Sequence, residues 1–387
     1  MVSVLTSCVP FSLRPCRRNN RGVSLVELMI ALVLGLLLVG AILQLFLGSR
    51  MTYQSTDAVA HVQENGRFVM SLIEPELRSA TSSSFCAGNI TPVNHLNLPD
   101  AQAQLLFHPS ATIAGWEYAD TGRGDDYAIT TLDPPATLTD WSGSASPPAE
   151  LAGLVVPGTD ILMLRTLELQ TGVTGTANNN PQSNIETDGD HGVPACSIVL
   201  VTNCASGTDL FQTTGGGGAL LTKSGGATCS PGNLGGSNAL DWSTSYADDM
   251  QLYLARTRLF FVGQDAATGE PGLFQMDMVM GSGATQVEQL VSGIESMQVL
   301  YGLSLPSELG GDGQYVDEWL TAEQVTSWEL IIAARVSFLV RSQDDVAGAP
   351  VSQTFNLAGT NVSGPSDRRL RQAFSTTVAV RNRLLVN

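Results

Sequence analysis

An apolar run from Leu28 to Leu47 constrains this chain more than any other stretch. It is 20 residues long, and Gln44 carries its only polar side chain. A helix that crosses a bilayer needs about 20 predominantly apolar residues, so the run qualifies as a spanning segment. Glu27 stands immediately before it. A carboxylate at membrane depth costs roughly 2.5 kcal/mol or more unless it finds a partner, so its position asks for one.

What precedes the run is equally informative. Residues 1–22 hold Arg14, Arg17, Arg18 and Arg21 and no acid. A basic stretch followed by an apolar one reads as a targeting segment, but an ordinary secretory signal places its small-residue cleavage site after the apolar part. Here the small residue, Gly22, comes first, so cleavage at that glycine leaves the hydrophobic segment on the mature protein. The arginines stay cytoplasmic, which directs the body to the other side of the membrane.

That body is acidic. The whole chain of 387 residues has a formal charge of −17, and everything after Gly22 carries 15 basic against 36 acidic residues. Such a surface favours solubility and opposes phosphate neutralisation, so no direct nucleic acid binding is expected. Four cysteines remain beyond the leader: Cys86, Cys196, Cys204 and Cys229. An even number outside the cytoplasm reads as two disulfides. No pair has C-x-x-C spacing and the four histidines are scattered, so no metal is expected. Between Cys196 and Cys204 lies "SIVLVTN", a β-branched run that as a straight strand holds the two about 26 Å apart at ~3.3 Å per residue. Disulfide Cα atoms sit within roughly 7 Å, which leaves 86–204 with 196–229, or 86–196 with 204–229.

After Leu47 the helical rhythm continues in polar sequence. Met51, Val59, Val62, Phe68, Val69, Leu72 and Ile73 recur mostly at three- or four-residue intervals, the mark of one buried face. A single helix is predicted from about Ser24 towards Arg78, on the order of 80 Å at ~1.5 Å per residue, with Pro75 kinking or restarting it. Beyond Ser79 short strands follow: 127–132, 160–169, 197–203, 251–263, 272–280, 294–304, 330–341 and 374–385. They are too many and too close for a parallel α/β sheet, and the expected class is α+β with a mainly antiparallel sheet. Phe374, Thr376, Val378 and Val380 should share one face of the last strand. "TAEQVTSWE" (321–329) reads as a short helix with Thr321 as N-cap. Residues 171–195 and 205–238 are Gly-, Thr- and Asn-rich insertions that should bury little apolar surface.

Motifs for chemistry are absent. "GLSLP" (302–306) fails the nucleophile-elbow pattern, and no Walker A or dinucleotide-type glycine pattern occurs. Asp312, Asp317 and Glu318 cluster without EF-hand spacing and read as solvated surface. The chain is expected to be no enzyme and to use no cofactor.

The string "RGVSLVELMIALVLGLLLVG" (21–40) resembles the N-terminal signature of type IV pilins and type II secretion pseudopilins. The resemblance implies that a prepilin peptidase cuts between Gly22 and Val23, that the new amine of Val23 is methylated, and that Glu27, fifth after the cut, serves subunit assembly. The first mature residue of the family is usually Phe, and here it is Val23. "ENGRFVMSLIEPELRSA" followed by "FC" (64–86), "VTNCASGTDLFQ" (201–212), "LVSGIESMQVLYGLS" (290–304), "YVDEWLTAEQVTSWELIIAARVSFLVRS" (315–342) and "RRLRQAFSTTVAVRNRLL" (368–385) resemble PilW-type minor pilins.

The resemblance implies a leader over 1–22 that is removed and a transmembrane and assembly helix over 23–48. Its amphipathic continuation covers 49–80 and a globular pilin domain 81–387. It implies inner-membrane insertion with the body in the periplasm, then incorporation at or near the pilus tip, where the protein helps initiate and cap assembly. The implied partners are prepilin peptidase, other minor pilins, the major pilin, the inner-membrane assembly platform and a tip adhesin. Twitching motility would depend on it indirectly. The alternatives are a type II secretion pseudopilin and, further off, a membrane-anchored extracytoplasmic enzyme.

Overall fold

The computed structural model describes residues 22–380 apart from 81–91, 108–111, 144, 177–178, 180–183, 224–228, 236–239, 279–285, 307–308, 312–314 and 347. The chain divides into two compact units, Met1–Tyr53 and Gln54–Asn387. One helix, Leu25–Ser79, runs through the boundary.

In the first unit the described helical residues are all exposed. In the second, the helix buries Ala58, Val62, Gly66, Val69, Ile73 and Leu77, a stripe stepping by three or four residues. This stripe is narrower than the one expected from sequence, because Met51, Val59 and Phe68 lie outside it and are exposed. Small residues fill the contact instead. Gly66 lets the Phe374 ring approach so closely that an added Cβ would lie 2.2 Å from it. Pro75 neither ends nor restarts the helix. It sits on the exposed side, while Ile73 and Leu77 on either side of it are fully buried. The neighbouring Glu74 accepts a hydrogen bond from Thr376 Oγ1 at 2.9 Å, and Glu76 pairs with Arg258 at 2.9 Å. Tertiary packing therefore outweighs the one backbone bond that proline removes.

The body is built around the 14-residue strand Gln251–Gln264. It pairs antiparallel with Ile161–Leu169, Ile198–Thr202 and Pro271–Asp277 inside a nine-stranded sheet. A separate four-stranded sheet has Ile294–Leu303 and Ile331–Arg341 at its centre, flanked by Glu318–Leu320 and Arg371–Ala379. Two described pairings are parallel, Val93–Asn94 with Thr208–Gln212 and Thr360–Ser363 with Asp126–Ala128. The rest are antiparallel, and the α+β class with a mainly antiparallel sheet holds. Continuous apolar runs mark the buried strands: Ile161 to Leu164 and Leu259 to Val262 are almost fully shielded. In Arg371–Ala379 the alternation holds, with Phe374, Thr376 and Val378 inward and Ser375, Thr377 and Ala379 outward.

Three local expectations fail. The segment 321–329 forms a turn and a single 3-10 turn at Trp328–Leu330. Thr and Val are weak helix formers, and burying Ala322, Val325 and Trp328 together, with Trp328 edge-on to Tyr301, decides the backbone path. The strand expected over 127–132 is only Asp126–Ala128. The Gly-rich insertions are not bare loops: Ile185, Val193 and Leu221 join Val199, Phe211, Trp242 and Tyr246 in a second hydrophobic cluster, and Ile185–Glu186 pairs with Leu220–Leu221.

The disulfides follow from this topology. Ile198–Thr202 and Thr208–Gln212 form a hairpin, with Cys196 at its base and Cys204 in its turn. Cys196 is bonded to Cys229 across a Cα separation of 5.4 Å. Cys204 is disulfide-bonded too, and Cys86 lies outside the described residues. A non-reducing peptide map is expected to yield a Cys196–Cys229 peptide and a Cys86–Cys204 peptide; recovery of Cys196–Cys204 would contradict the hairpin. Loop closure over 33 residues puts the loss in a Cys229→Ser variant at about 3–4 kcal/mol, readable by denaturant unfolding.

Candidate functional site

Gly22 to Ser24 precede the long helix in non-helical conformation. Ser24 is the N-cap: its Oγ accepts from the Val26 N–H at 3.3 Å, and its carbonyl accepts from the Leu28 N–H at 3.1 Å. Glu27 completes the cap, its Oε2 accepting from the Ser24 N–H at 3.0 Å. Ser-Leu-Val-Glu thus has the capping-box spacing, with the N3 carboxylate taking the N-cap N–H and the N-cap hydroxyl taking the N–H of N2. The S-x-x-E spacing of Ser24 and Glu27 is legible in the sequence. The carboxylate also lies at the positive end of the helix dipole.

The site's surroundings are apolar and uncovered. An 18-residue window of the helix has a mean hydropathy of 2.8, and none of it is buried. Val23 is 71 % exposed. Built C-terminal to Gly22, the cap holds the Glu27 carboxylate one residue from Val23, where a cut after Gly22 would create an ammonium group. The carboxylate can therefore cap its own helix or face an amine. An amine of a neighbouring subunit would offset its burial among apolar helices.

No group of three or more possible metal ligands occurs among the described residues. Asp317, one of the clustered acids, is occupied by the Leu305 N–H at 2.7 Å, and Asp312 lies outside the described residues. Buried ionisable clusters are not legible in the sequence, because their members are far apart along the chain. Glu117 and Asp160 are both shielded. Burial raises both above the ordinary carboxylate range, and the Asp160 charge pushes Glu117 further up. Asp160 accepts from the Val299 N–H at 2.7 Å, while Glu117 Oε2 has no hydrogen-bond partner. The second cluster joins His95, Asp209, Lys223 and Ser243.

Residues 17–43 match the family model of the prokaryotic N-terminal methylation motif, which spans Arg17, Arg18, Arg21, Gly22, Val23, Glu27 and most of the apolar run. Together with the one helix among the described residues that is long and apolar enough to cross a membrane, this match supports membrane anchoring and a type IV pilin-like protein. Residues 259–382 match the model described as Type IV Pilus-assembly protein W, so the two matches support a PilW-type pilin, a structural component involved in pilus assembly. This second match covers 290–304 and 315–342 and most of 368–385, but reaches neither 64–86 nor 201–212. Pilin-family membership supports interaction with prepilin peptidase and other pilus components. No curated protein and no solved structure matches the chain.

Proposed function

We propose that the chain is a minor pilin that helps initiate and cap type IV pilus assembly and sits at or near the tip. Prepilin peptidase cuts between Gly22 and Val23, the Val23 amine is methylated, and Glu27 pairs with the N-terminal amine of a neighbouring subunit. The observation that carries this reading is the capped Glu27 at the head of a wholly exposed apolar helix half, inside the matched methylation motif. Before assembly the body is periplasmic and the helix rests in the inner membrane; afterwards both belong to the pilus. Contacts with other minor pilins, the major pilin, the assembly platform and a tip adhesin follow from that position. A body of this size suits low copy number better than a repeating subunit.

A type II secretion pseudopilin shares the leader and helix physics. The PilW match favours the pilus. Incubation of the full chain in detergent with purified prepilin peptidase is expected to remove 22 residues. An unchanged mass would return the chain to the class of ordinary anchored proteins.

A further inference from the structure

Lys223 is the sole lysine of the chain, against 18 arginines. It is half-buried, and its Nζ lies 3.0 Å from His95 Nδ1 and 3.8 Å from the centroid of the Trp242 ring. It also donates to the Leu240 carbonyl. Behind the imidazole, His95 Nε2 is 2.6 Å from Asp209 Oδ1, and both side chains are buried. Asp209 is fixed in turn. Its Oδ2 accepts from Ser243 Oγ at 2.6 Å, from the Ser243 N–H at 3.0 Å and from the Tyr246 hydroxyl.

These contacts set the tautomer. A carboxylate accepts only, so His95 carries its proton on Nε2 and turns the Nδ1 lone pair towards Lys223. Amine, imidazole and carboxylate then stand in line as nucleophile, base and orienting group, the logic by which side-chain nucleophiles are activated. The charges near the amine are the Asp209 and Asp241 carboxylates. Burial lowers the Lys223 ammonium to about 8 despite the opposing pull of both. Burial raises Asp209, and the hydrogen bonds from His95, Ser243 and Tyr246 outweigh it, holding the carboxylate below its ordinary value. If the cluster served only to tie Thr208–Gln212 to the loop at 240–250, Asp209, Ser243 and Tyr246 would suffice. The lysine adds no bond to Asp209.

We propose that Lys223 is an amine nucleophile that captures aldehydes as a covalent imine, with His95 as its proton acceptor and Asp209 as the group that orients His95. The neutral amine adds to the carbonyl carbon, the C–N bond forms and the carbonyl π pair moves to oxygen. His95 Nδ1 takes a proton from nitrogen and returns it to the carbinolamine oxygen. A second proton, taken from bulk water, turns the hydroxyl into the leaving water as the C–O bond breaks, and the remaining N–H proton of the iminium returns to bulk water to leave the neutral C=N bond. Amine and aldehyde give imine and water, with no oxidant, reductant or further reactant. The event is a stoichiometric attachment, independent of the pilin reading.

Having one lysine makes the test clean. The full chain in detergent micelles is treated with benzaldehyde and sodium cyanoborohydride from pH 6 to 10, and alkylation of the Lys223 peptide is followed by mass spectrometry, which separates it from the N-terminal amine. The rate is expected to rise with a midpoint near 8, and at pH 7.5 to exceed that of Nα-acetyl-lysine amide at least tenfold, since an ordinary lysine titrates near ~10.4. His95→Gln should slow the reaction about a hundredfold by removing the base, while Lys223→Arg abolishes labelling. If the His95 variant does not fold, the wild-type profile decides alone. A wild-type midpoint near ~10.4, a rate equal to that of the free amide, or a folded His95→Gln variant that reacts like wild type overturns the proposal.

Discussion

Glu27→Gln and Glu27→Ala are both expected to abolish surface piliation, and their agreement is the informative part. Glu27 has two roles open to it: a helix cap, observed as the bond to the Ser24 N–H, and a charge for a neighbouring amine. Glutamine at N3 serves a capping box as well as glutamate does, whereas alanine does not. Loss of a cap costs typically ~1 kcal/mol, which a helix of 55 residues tolerates. An ammonium left unpaired among apolar helices costs several kcal/mol. If the charge pair governs assembly, glutamine fails as alanine fails. If the cap governs it, glutamine restores pili. Glu27→Lys should fail too, since it sets two cations together. The measurement is sheared pilus yield, with the protein quantified in the membrane fraction to show that each variant inserts.

The largest expected stability loss lies far from the helix start. Glu295→Ala should destabilise the body by about 3–5 kcal/mol, the range for removing one partner of a buried ion pair. Glu295 is fully shielded. It accepts from Arg341 at 3.0 Å and from Arg371 at 2.6 and 2.9 Å. The three residues sit on Ile294–Leu303, Ile331–Arg341 and Arg371–Ala379, so one carboxylate ties three strands at one end of the four-stranded sheet. Asp367 and Glu270 partly compensate, holding Arg371 and Arg341 from outside at 2.6 and 2.7 Å. The exposed Arg78–Glu74 pair is the contrast: Arg78→Ala should change stability by less than about 0.5 kcal/mol. Urea unfolding of both variants reads the difference, and a near-wild-type Glu295→Ala would refute the role given to the network.

The parts of this fold that were legible in sequence are those set by pattern over many residues. The helix expected from about Ser24 towards Arg78 runs Leu25–Ser79, because apolar content and then periodicity persist across 55 positions. The long strands are legible through apolar runs such as Ile161 to Leu164 and Leu259 to Val262. What escaped depends on contacts between distant residues. Ile113–Tyr118 went unread because Gly115 and Glu117 break its pattern, yet Gly115 is required there: an added Cβ would lie 2.0 Å from the Tyr301 hydroxyl. Ala322, Val325 and Trp328 spaced by three suggest a helix until the partner ring of Tyr301 is known. The site at Glu27 was legible from its neighbours in sequence. The His95–Asp209–Lys223 line was not, since hairpin and loop bring together positions 95, 209 and 223 only on folding.

On the proposed function the chain leaves its leader behind and enters a filament. Mass spectrometry of the protein recovered from sheared pili tests it most directly. A mature chain beginning at methylated Val23 is expected in the pilus fraction; a chain found only in membranes with residues 1–22 still attached would refute the proposed function.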